Sequence, residues 1–453
     1  MQFGKKRIKM SLGRRRFIVG ALGLVLALML VVAACGEAAT ATPEPTAVME
    51  EPTAMMEEAT ATAVPAAVVT ATSEPDPDPA ALRPMFEWTA DNPGTFEEIE
   101  AELANYEGQS LNVVSWGGAY QAAQRQAYFL PFQEKFNIQL VEDSPVEYAK
   151  IRSMVETGNV TWDVVDSGTR AVYRLGPTGD LEELTPAIHN RYLPFFPQVA
   201  VTPWSGGGGV LWSTGLAYQK DKVDELWGGV APSDWTAFWN VDEFPGTRWM
   251  GRRVNENIFF AHFNRTPEIL DSVDGRNAIA KLTPEQVDQS FEELEKIKPH
   301  IQFWWTGGTD CPQALITDQA DMCTAWNGRI WNAQQEEGGD NLHYCFECGH
   351  LNQTDVFYIP KGSPNKTLAE LFISWTAEPH INVEMIKYIT YGPLNLQALP
   401  LVNTDVVDQL TIDNLPTSPS ALEKAVVVDE VWLGTNLDDL AERMEAFLAD
   451  VES

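Results

Sequence analysis

The sequence lacks the residue patterns by which many hydrolases are recognised. Its 6 histidines are scattered, and no His-x-Glu or His-Glu-x2-His pattern brings two of them together. No Gly-x-Ser-x-Gly nucleophile elbow occurs either. Carboxylate pairs for glycoside hydrolysis are set by the fold, so an extracellular hydrolase stays open as an alternative. The missing motifs nevertheless predict a protein that is not an enzyme.

Basic residues are also scarce. The chain has 31 Lys and Arg against 64 Asp and Glu, and its formal net charge is -33. Seven of the basic residues lie in the first 16 positions, so the remainder carries a charge near -40 (24 minus 64). This charge argues against nucleic acid or anionic lipid as a partner. It would attract cations, and solubility outside the cell explains it equally well.

Residues 36–82 contain no lysine, arginine or aromatic residue, and Ala, Thr, Pro, Glu and Met dominate them. Such a segment cannot bury enough apolar surface to offset its chain entropy. We therefore expect residues 36–83 to form a disordered acidic linker.

The first 35 residues have the organisation of an export signal. A basic head is followed by an apolar run over 17–34, which ends at Val32-Ala33-Ala34-Cys35. The ending resembles a bacterial lipobox, which implies that Cys35 is lipidated and anchors the chain to the outer face of the cytoplasmic membrane. Arg14-Arg15-Arg16-Phe17 also resembles a twin-arginine signal, so the export route stays open. An uncleaved signal anchor is the alternative, since about 18 apolar residues is near the lower limit for a membrane span.

The four other cysteines lie close together in the sequence, at Cys311, Cys323, Cys345 and Cys348. In an oxidising compartment they predict disulfides, whose pairing the sequence leaves open. Cys345 and Cys348 could form a tight bridge or a redox pair. His343 and His350 flank them, which makes zinc an alternative, but one Cys-x2-Cys pair is a weak zinc signal, and we predict no metal and no cofactor.

Strands and helices alternate in the body of the chain. Apolar runs at 111–115, 138–141 and 162–165 predict strands, and helical patterns lie between them. This alternation predicts an α/β fold. Capping boxes at Thr95-Phe96-Glu97-Glu98 and Thr283-Pro284-Glu285-Gln286 predict two helix starts.

Ligands of open α/β sheets bind beyond the carboxyl ends of the strands. Trp116 to Tyr120 follow the first predicted strand, and Asp166 to Thr169 follow the third. Glycines at a strand end permit close approach, and an aromatic ring beside them offers an apolar wall or a cation-binding face. Trp326 stands in a similar position before Asn327-Gly328. These strand ends are the predicted ligand site.

Five segments, in this order, resemble the spermidine/putrescine-type solute-binding proteins of ABC importers. They are Val114-Ser115-Trp116-Gly117-Gly118-Ala119-Tyr120-Gln121, Trp162-Asp163-Val164-Val165-Asp166, Ala325-Trp326-Asn327-Gly328-Arg329, Ile359-Pro360-Lys361-Gly362 and Tyr391-Gly392-Pro393-Leu394-Asn395. The resemblance covers about residues 109–425. It implies a two-lobe periplasmic-binding-protein fold of type II, with a mixed sheet and flanking helices in each lobe and a ligand cleft between them.

The resemblance also implies domain bounds. They are a first lobe formed by 84–218 and 354–453, with a preceding helix and C-terminal helices, and a second lobe at 219–353; the export signal at 1–35 and the linker at 36–83 follow from the residues themselves. The crossovers are expected near Leu216-Ala217-Tyr218 and near Thr354-Asp355.

The same resemblance implies the site residues. In it, Asp355 matches a carboxylate that holds a ligand ammonium, and Tyr391 matches a ring that closes the pocket. The full predicted set is Trp116, Tyr120, Asp166, Ser167, Glu256, Trp305, Trp326, Arg329, Asp355 and Tyr391. Two departures point away from a polyamine: Arg329 stands where some diamine binders have a carboxylate, and in Arg252-Arg253-Val254-Asn255-Glu256 only Glu256 is acidic.

These departures predict a small ligand that is cationic at one end, through Asp355, and anionic at the other, through Arg329 or Arg252. The arginines could equally pair with acids of the protein. We expect a monomeric, membrane-tethered solute-binding protein that captures a polyamine or an amino-acid-like amine and delivers it to an ABC permease. A sugar binder, or a sensor or adhesion module with the same fold, remains an alternative.

Overall fold

The computed structural model describes residues 82–449 of the 453 in the chain, and these belong to one compact unit. The predicted export signal, Cys35 and residues 36–81 lie outside the described residues. Within residues 82–449, every helix is too short or too polar to span a membrane.

Eleven strands are described. They are β1 Ser110–Val114, β2 Gln139–Asp143, β3 Val164–Gly168, β4 Ser205–Gln219, β5 Arg248–Gly251, β6 Ile301–Trp305, β7 Met322–Trp326, β8 Leu342–Cys345, β9 His350–Tyr358, β10 Gly392–Pro393 and β11 Ala425–Val427.

The α-helices surround these strands. They are α1 Phe96–Leu103, α2 Gly118–Gln124, α3 Leu130–Phe136, α4 Tyr148–Thr157, α5 Thr169–Leu175, α6 Pro186–His189, α7 Lys222–Glu225, α8 Thr236–Trp239, α9 Val254–Arg265, α10 Val273–Ala278, α11 Pro284–Ile297, α12 Asp310–Ile316, α13 Asn327–Gln334, α14 Lys366–Thr376, α15 Pro379–Asn382, α16 Gln409–Asp413, α17 Pro419–Leu422 and α18 Glu430–Leu448.

The strands form a mixed sheet in the order β2-β1-β3-β9-β4-β7-β5-β6. At one end β2, β1 and β3 are parallel, and at the other end β7, β5 and β6 are parallel. Between them β9 and β4 run antiparallel to each other, and each is antiparallel to its outer neighbour. The sheet therefore consists of two parallel groups joined through two antiparallel strands.

β4 and β9 connect the two groups. β4 pairs with β9 over Ser205 to Thr214 and with β7 over Thr214 to Tyr218. β9 continues to Tyr358, where it pairs with β3. The chain thus passes between the groups in the regions where the crossovers are expected. The residue bounds of the two lobes remain a prediction.

Local sequence rules account for several helix starts. Thr95 accepts a hydrogen bond from the Glu98 backbone N–H, and the Glu98 side chain accepts one from the Thr95 backbone N–H, which confirms the first capping box. The same reciprocal pair joins Thr283 and Gln286 at the start of α11. Each box satisfies backbone donors that would otherwise be unpaired at a helix start.

Residues 118–136 form one helical stretch with a π-helical segment, Arg125–Phe129, in its middle. Pro131, whose ring cannot donate a backbone hydrogen bond, follows this segment after Leu130. The irregular turn thus lies where the regular helical bonding is interrupted.

Helix α9 is buried on every side. All residues from Val254 to Phe263 are buried, including Phe259 and Phe260 in the core. Its polar residues Asn255, Glu256 and Asn257 are buried together with its apolar ones, so the helix lies inside the protein. Its rigid position fixes Glu256 and the preceding Arg253 beside the ends of β5 and β6.

The four cysteines form two disulfides, Cys311–Cys323 and Cys345–Cys348. The first joins α12 to β7, and the second closes a tight turn after β8. His343, Cys345 and Glu347 lie within 4.8 Å of one another, but the Cys345 sulfur is already bonded to Cys348. The His350 side chain is buried and contacts the Ala421 carbonyl. Both sulfurs of the Cys-x2-Cys pair are therefore bonded to each other, whereas a zinc site would need them as free thiolates.

Candidate functional site

A small cavity, with about 30 Å³ of space open to the centre of a water-sized sphere, lies where carboxyl ends of strands from the two parallel groups meet. Nine residues line it, and all are aromatic or charged: Trp116, Tyr120, Arg170, Trp212, Arg253, Trp326, Arg329, Asp355 and Tyr391. Six of the ten predicted site residues, namely Trp116, Tyr120, Trp326, Arg329, Asp355 and Tyr391, are among them.

Carboxyl ends of strands from both groups bring these side chains together. Trp116 follows β1, and Trp326 is the last residue of β7. Arg253 follows β5 by two residues. Parallel strands end at the same edge within each group, and the two groups run in opposite directions beside β9 and β4, so their carboxyl ends face each other here.

Asp355 is the only carboxylate among the lining residues. It lies on β9, is 5% exposed, and its Oδ1 accepts a 2.9 Å hydrogen bond from Nε1 of Trp212. Burial raises the pKa of Asp355 to about 6, and the Arg170 guanidinium partly opposes this shift. The carboxylate is therefore ionised at neutral pH and is a suitable counter-ion for a ligand ammonium.

Aromatic rings form most of the remaining wall. Trp212 and Trp326 meet edge to face, with ring centroids 5.9 Å apart. Tyr120 and Tyr391 meet at 5.4 Å in a similar arrangement. Their ring faces bear partial negative charge, so they can stabilise a cation once water is excluded. The wall suits an ammonium group with an attached alkyl chain.

Arg329 contributes a second polar group to the cavity. Its Nη2 donates a 3.2 Å hydrogen bond to the Gly117 carbonyl, while Nε and Nη1 are buried without a hydrogen-bond partner among residues 82–449. Glycines flank both nitrogens: a Cβ on Gly118 would lie 2.8 Å from Nη1, and one on Gly308 would lie 3.4 Å from Nε. The guanidinium therefore keeps unused donors, which a carboxylate could accept from.

Sequence reasoning missed three lining residues: Arg170, Trp212 and Arg253. Arg170 lies in α5, directly after β3, and its Nη1 donates a 3.3 Å hydrogen bond to Oε1 of Gln353. The Arg253 guanidinium carbon lies 5.0 Å from the Trp326 ring centroid. Proximity to the predicted strand ends could have indicated the two arginines. Trp212 lies within β4, and only the pairing of β4 with β9 places it beside Asp355.

Glu256 and Trp305 lie behind the lining residues. Oε1 of Glu256 accepts a 3.4 Å hydrogen bond from Nε1 of Trp326, and the Trp305 ring meets the Trp326 ring at 5.7 Å. The Arg253 guanidinium faces Glu256, and this attraction limits the rise that burial causes in the carboxyl pKa. Both predicted residues support Trp326 rather than line the cavity.

The sequence placed Asp166 and Ser167 after the end of the third strand, and this placement was wrong. β3 runs to Gly168, so both residues lie within the strand and are fully buried. Oγ of Ser167 shares a 2.9 Å hydrogen bond with the Tyr358 hydroxyl. The apolar run predicted a strand end at Val165, but pairing with β9 extends the strand through the polar residues. Neither residue lines the cavity.

Arg252, the other arginine considered for an anionic ligand group, points elsewhere. Its Nη2 donates a 2.9 Å hydrogen bond to Oε2 of Glu445 on α18. The alternative that an arginine pairs with an acid of the protein thus holds for Arg252. Among the two, only Arg329 lines the cavity.

Comparison with known proteins gives one family. The sequence profile of the bacterial extracellular solute-binding proteins matches residues 127–410. A gamma-aminobutyric acid-binding protein of Pseudomonas aeruginosa is 35% identical over 352 residues, which are 77% of this chain and 94% of that protein.

Solved structures agree with this match. An ABC transporter substrate-binding protein from Bradyrhizobium japonicum is 30% identical with a TM-score of 0.64, over 75% of this chain and 99% of that one. A structure described as the Atu4243 GABA receptor is 27% identical with a TM-score of 0.62, over 75% of this chain and 97% of that one. The predicted two-lobe periplasmic-binding-protein fold is thereby confirmed.

Proposed function

The chain belongs to the bacterial extracellular solute-binding protein family, and we propose that it captures a small amino-acid-like zwitterion and delivers it to an ABC importer. The ligand ammonium lies against Asp355 and the aromatic wall. The ligand carboxylate lies against Arg329. The protein binds this ligand without chemical change, as the binding proteins named among its relatives suggest.

One observation carries this proposal. Arg329 presents buried, unpartnered nitrogens to the same cavity that holds the Asp355 carboxylate. Leaving charge-bearing donors without partners in a buried site is unfavourable, and a ligand carboxylate would satisfy them. A fully protonated diamine would instead bring a second positive charge towards Arg329.

The other charged groups of the site attract each other without forming an ion pair within 4.0 Å among residues 82–449. Asp355 faces Arg170, and Glu256 faces Arg253. Arg329 has no ion pair with a carboxylate within 4.0 Å among residues 82–449. One anionic group on the ligand is therefore the complement that this site lacks.

The ligand experiment is calorimetric titration with γ-aminobutyrate, putrescine and spermidine. We expect γ-aminobutyrate to bind more tightly than either polyamine. Tight binding of putrescine without a response to γ-aminobutyrate would contradict the zwitterion proposal. The known ligand of a relative justifies γ-aminobutyrate as the probe.

A matched pair of arginine variants tests the carboxylate contact. Arg329→Gln removes the charge that faces the cavity, and we expect γ-aminobutyrate affinity to fall roughly 10- to 100-fold, since hydrogen bonds to charged groups contribute about 1.5–3 kcal/mol. Arg252→Gln removes an arginine whose guanidinium contacts Glu445 outside the cavity, and should leave affinity unchanged. An equal loss in both variants would indicate a general charge effect.

Family membership places the folded body outside the cytoplasm. We further propose that lipidation of Cys35 tethers it to the membrane and that residues 36–83 give it reach. The basic head, the apolar run and the small residues before Cys35 support this proposal. Cys35→Ser should move the exported protein from the membrane fraction to the soluble fraction.

A further inference from the structure

Asp166 and Asp355 lie on the same face of neighbouring antiparallel strands. In the register of β3 and β9, Gly168 pairs with Asp355 and Asp166 pairs with Phe357. Residues two apart on a strand point to the same face, so Asp166 is the diagonal neighbour of Asp355. Gly168, directly opposite Asp355, has no side chain to separate them. The two carboxyls are also buried, at 0% and 5% exposure.

The two acids have different surroundings. Oδ2 of Asp166 accepts hydrogen bonds from Ser115 Oγ at 3.2 Å and from Gln124 Nε2 at 2.6 Å. Its Oδ1 is buried without a partner, and no cation lies within 4.0 Å of it among residues 82–449. The other titratable groups near Asp166 are the hydroxyls of Tyr120, Tyr128 and Tyr358.

Asp355 faces several charged and titratable groups. Arg170 on α5 is the cation that stabilises its charge. Glu430, at the start of α18, is a second buried carboxyl near Arg170 and Asp355. The neighbouring hydroxyls are those of Tyr120, Tyr148, Tyr358 and Tyr391. Asp355 thus has a counter-ion, whereas Asp166 has none.

Two neighbouring buried carboxyls with one counter-ion cannot both ionise at ordinary pH. We propose that Asp166 holds a proton on Oδ1 in the empty site and releases it to solvent when a ligand ammonium binds beside Asp355. The Oδ1–H bond breaks, the carboxylate keeps the electron pair, and the ammonium charge replaces the proton charge. This inference rests on the proposed function.

The Tyr120 hydroxyl lies near both carboxyls and interacts with Asp166. It belongs to a buried residue that lines the cavity. Both Asp166 and Asp355 act electrostatically on it. The positive charge of an ammonium beside this hydroxyl would therefore stabilise the ionised form of Asp166, although Asp166 does not line the cavity. Asp166 therefore does not touch the ligand, and its protonation state affects ligand binding through Tyr120 and Asp355.

The experiment measures protons released on binding. Titrations with γ-aminobutyrate at about pH 8, in phosphate and in Tris buffer, give the number of released protons from the difference between the two binding enthalpies. Asp355, with a pKa of about 6, and Glu430, with a pKa of about 7, are mostly ionised at that pH, which leaves Asp166 as the main proton source; the Asp166→Asn variant tests this assignment. The wild-type protein should release a measurable fraction of a proton, and its affinity should rise with pH, up to about tenfold per unit.

Asp166→Asn keeps the side-chain shape and removes the proton. This variant should bind γ-aminobutyrate with equal enthalpy in both buffers. Butyrate, which has the carboxylate without the ammonium, is the ligand control and should cause no release in the wild-type protein. The buffer comparison on wild-type protein stands even where the variant does not fold.

The outcomes separate the two proposals. Binding of γ-aminobutyrate without proton release, or with release that Asp166→Asn retains, would overturn the role of Asp166 and leave the proposed function intact. Binding of no amine at all would overturn the proposed function, and the inference with it.

Discussion

The indole N–H of Trp212 points at the Asp355 carboxylate, with Nε1 2.9 Å from Oδ1. Trp212 lies on β4 and Asp355 on β9, which are the two strands that join the parallel groups of the sheet. The hydrogen bond orients the carboxylate towards the cavity and stabilises its charge. The carboxylate predicted to bind the ligand ammonium is thus oriented by Trp212, a residue whose neighbours in the sequence do not mark it as part of the site.

Asp355→Asn should weaken γ-aminobutyrate binding roughly 10- to 100-fold, because a charged hydrogen bond contributes about 1.5–3 kcal/mol. Calorimetry measures the change. Asp318→Asn is the matched control, since Asp318 is exposed and contacts Lys222 away from the cavity. Unchanged affinity in Asp355→Asn would contradict the assigned ammonium site.

The same variant should stabilise the empty protein at neutral pH. The pKa of Asp355 is about 6 in the folded protein and about 3.9 in an unfolded chain. Between these values the folded state binds more protons, so the Asp355 contribution to stability falls as pH rises through this window. At pH above about 6, this effect should raise the free energy of unfolding of Asp355→Asn above that of the wild type by roughly 3 kcal/mol.

Denaturation of both proteins at several pH values tests this sign. The variant must be compared with the wild type at each pH, because His189 and His350 contribute the opposite slope. Burial lowers the pKa of each to about 4, so their contribution is lost as pH falls below their unfolded value of about 6.5. A stability difference that grows towards low pH would contradict the prediction.

Gly118→Ala should abolish or strongly weaken ligand binding. Gly118 has φ +58, and a Cβ there would lie 2.8 Å from Arg329 Nη1, so the guanidinium would have to move. Gly179→Ala is the control, because Gly179 has φ +85 but nothing within 4 Å of its added Cβ. Both variants should lose roughly 1–2 kcal/mol of stability through the left-handed backbone. Only Gly118→Ala should lose affinity in calorimetry.

Replacing Cys311 and Cys323 together by Ser should cost about 3 kcal/mol of stability, and replacing Cys345 and Cys348 about 2 kcal/mol. The order follows from the sequence separations, 12 residues against 3, because the longer loop restricts the unfolded chain more. Chemical denaturation measures both changes. The reverse order would indicate that local packing outweighs loop entropy.

Local sequence rules predicted what depends on a few neighbouring residues. The capping boxes at Thr95 and Thr283 could be recognised because a cap and its partner lie three residues apart. Trp116 and Trp326 could be placed at a cavity because an apolar run ends beside each of them. The family resemblance supplied Asp355 and Tyr391, which no local pattern distinguishes.

Strand register decided the rest. Because β3 pairs with β9, Asp166 and Ser167 lie within the sheet and not beyond the predicted strand end. The pairing of β4 with β9 brought Trp212 to Asp355, and the packing of α5 brought in Arg170. These contacts join residues about 140 to 190 positions apart, so no periodicity within a short window contains them.

The two disulfides make it possible to label Cys35 selectively. Four of the five cysteines are bonded in pairs, so Cys35 is the one cysteine that neither disulfide uses. Under non-reducing conditions, a maleimide added to the unfolded polypeptide would label position 35 when its thiol is unmodified. A lipidated thiol would not react with maleimide. Labelling of the Cys35 sulfur therefore reports whether the membrane anchor has been attached.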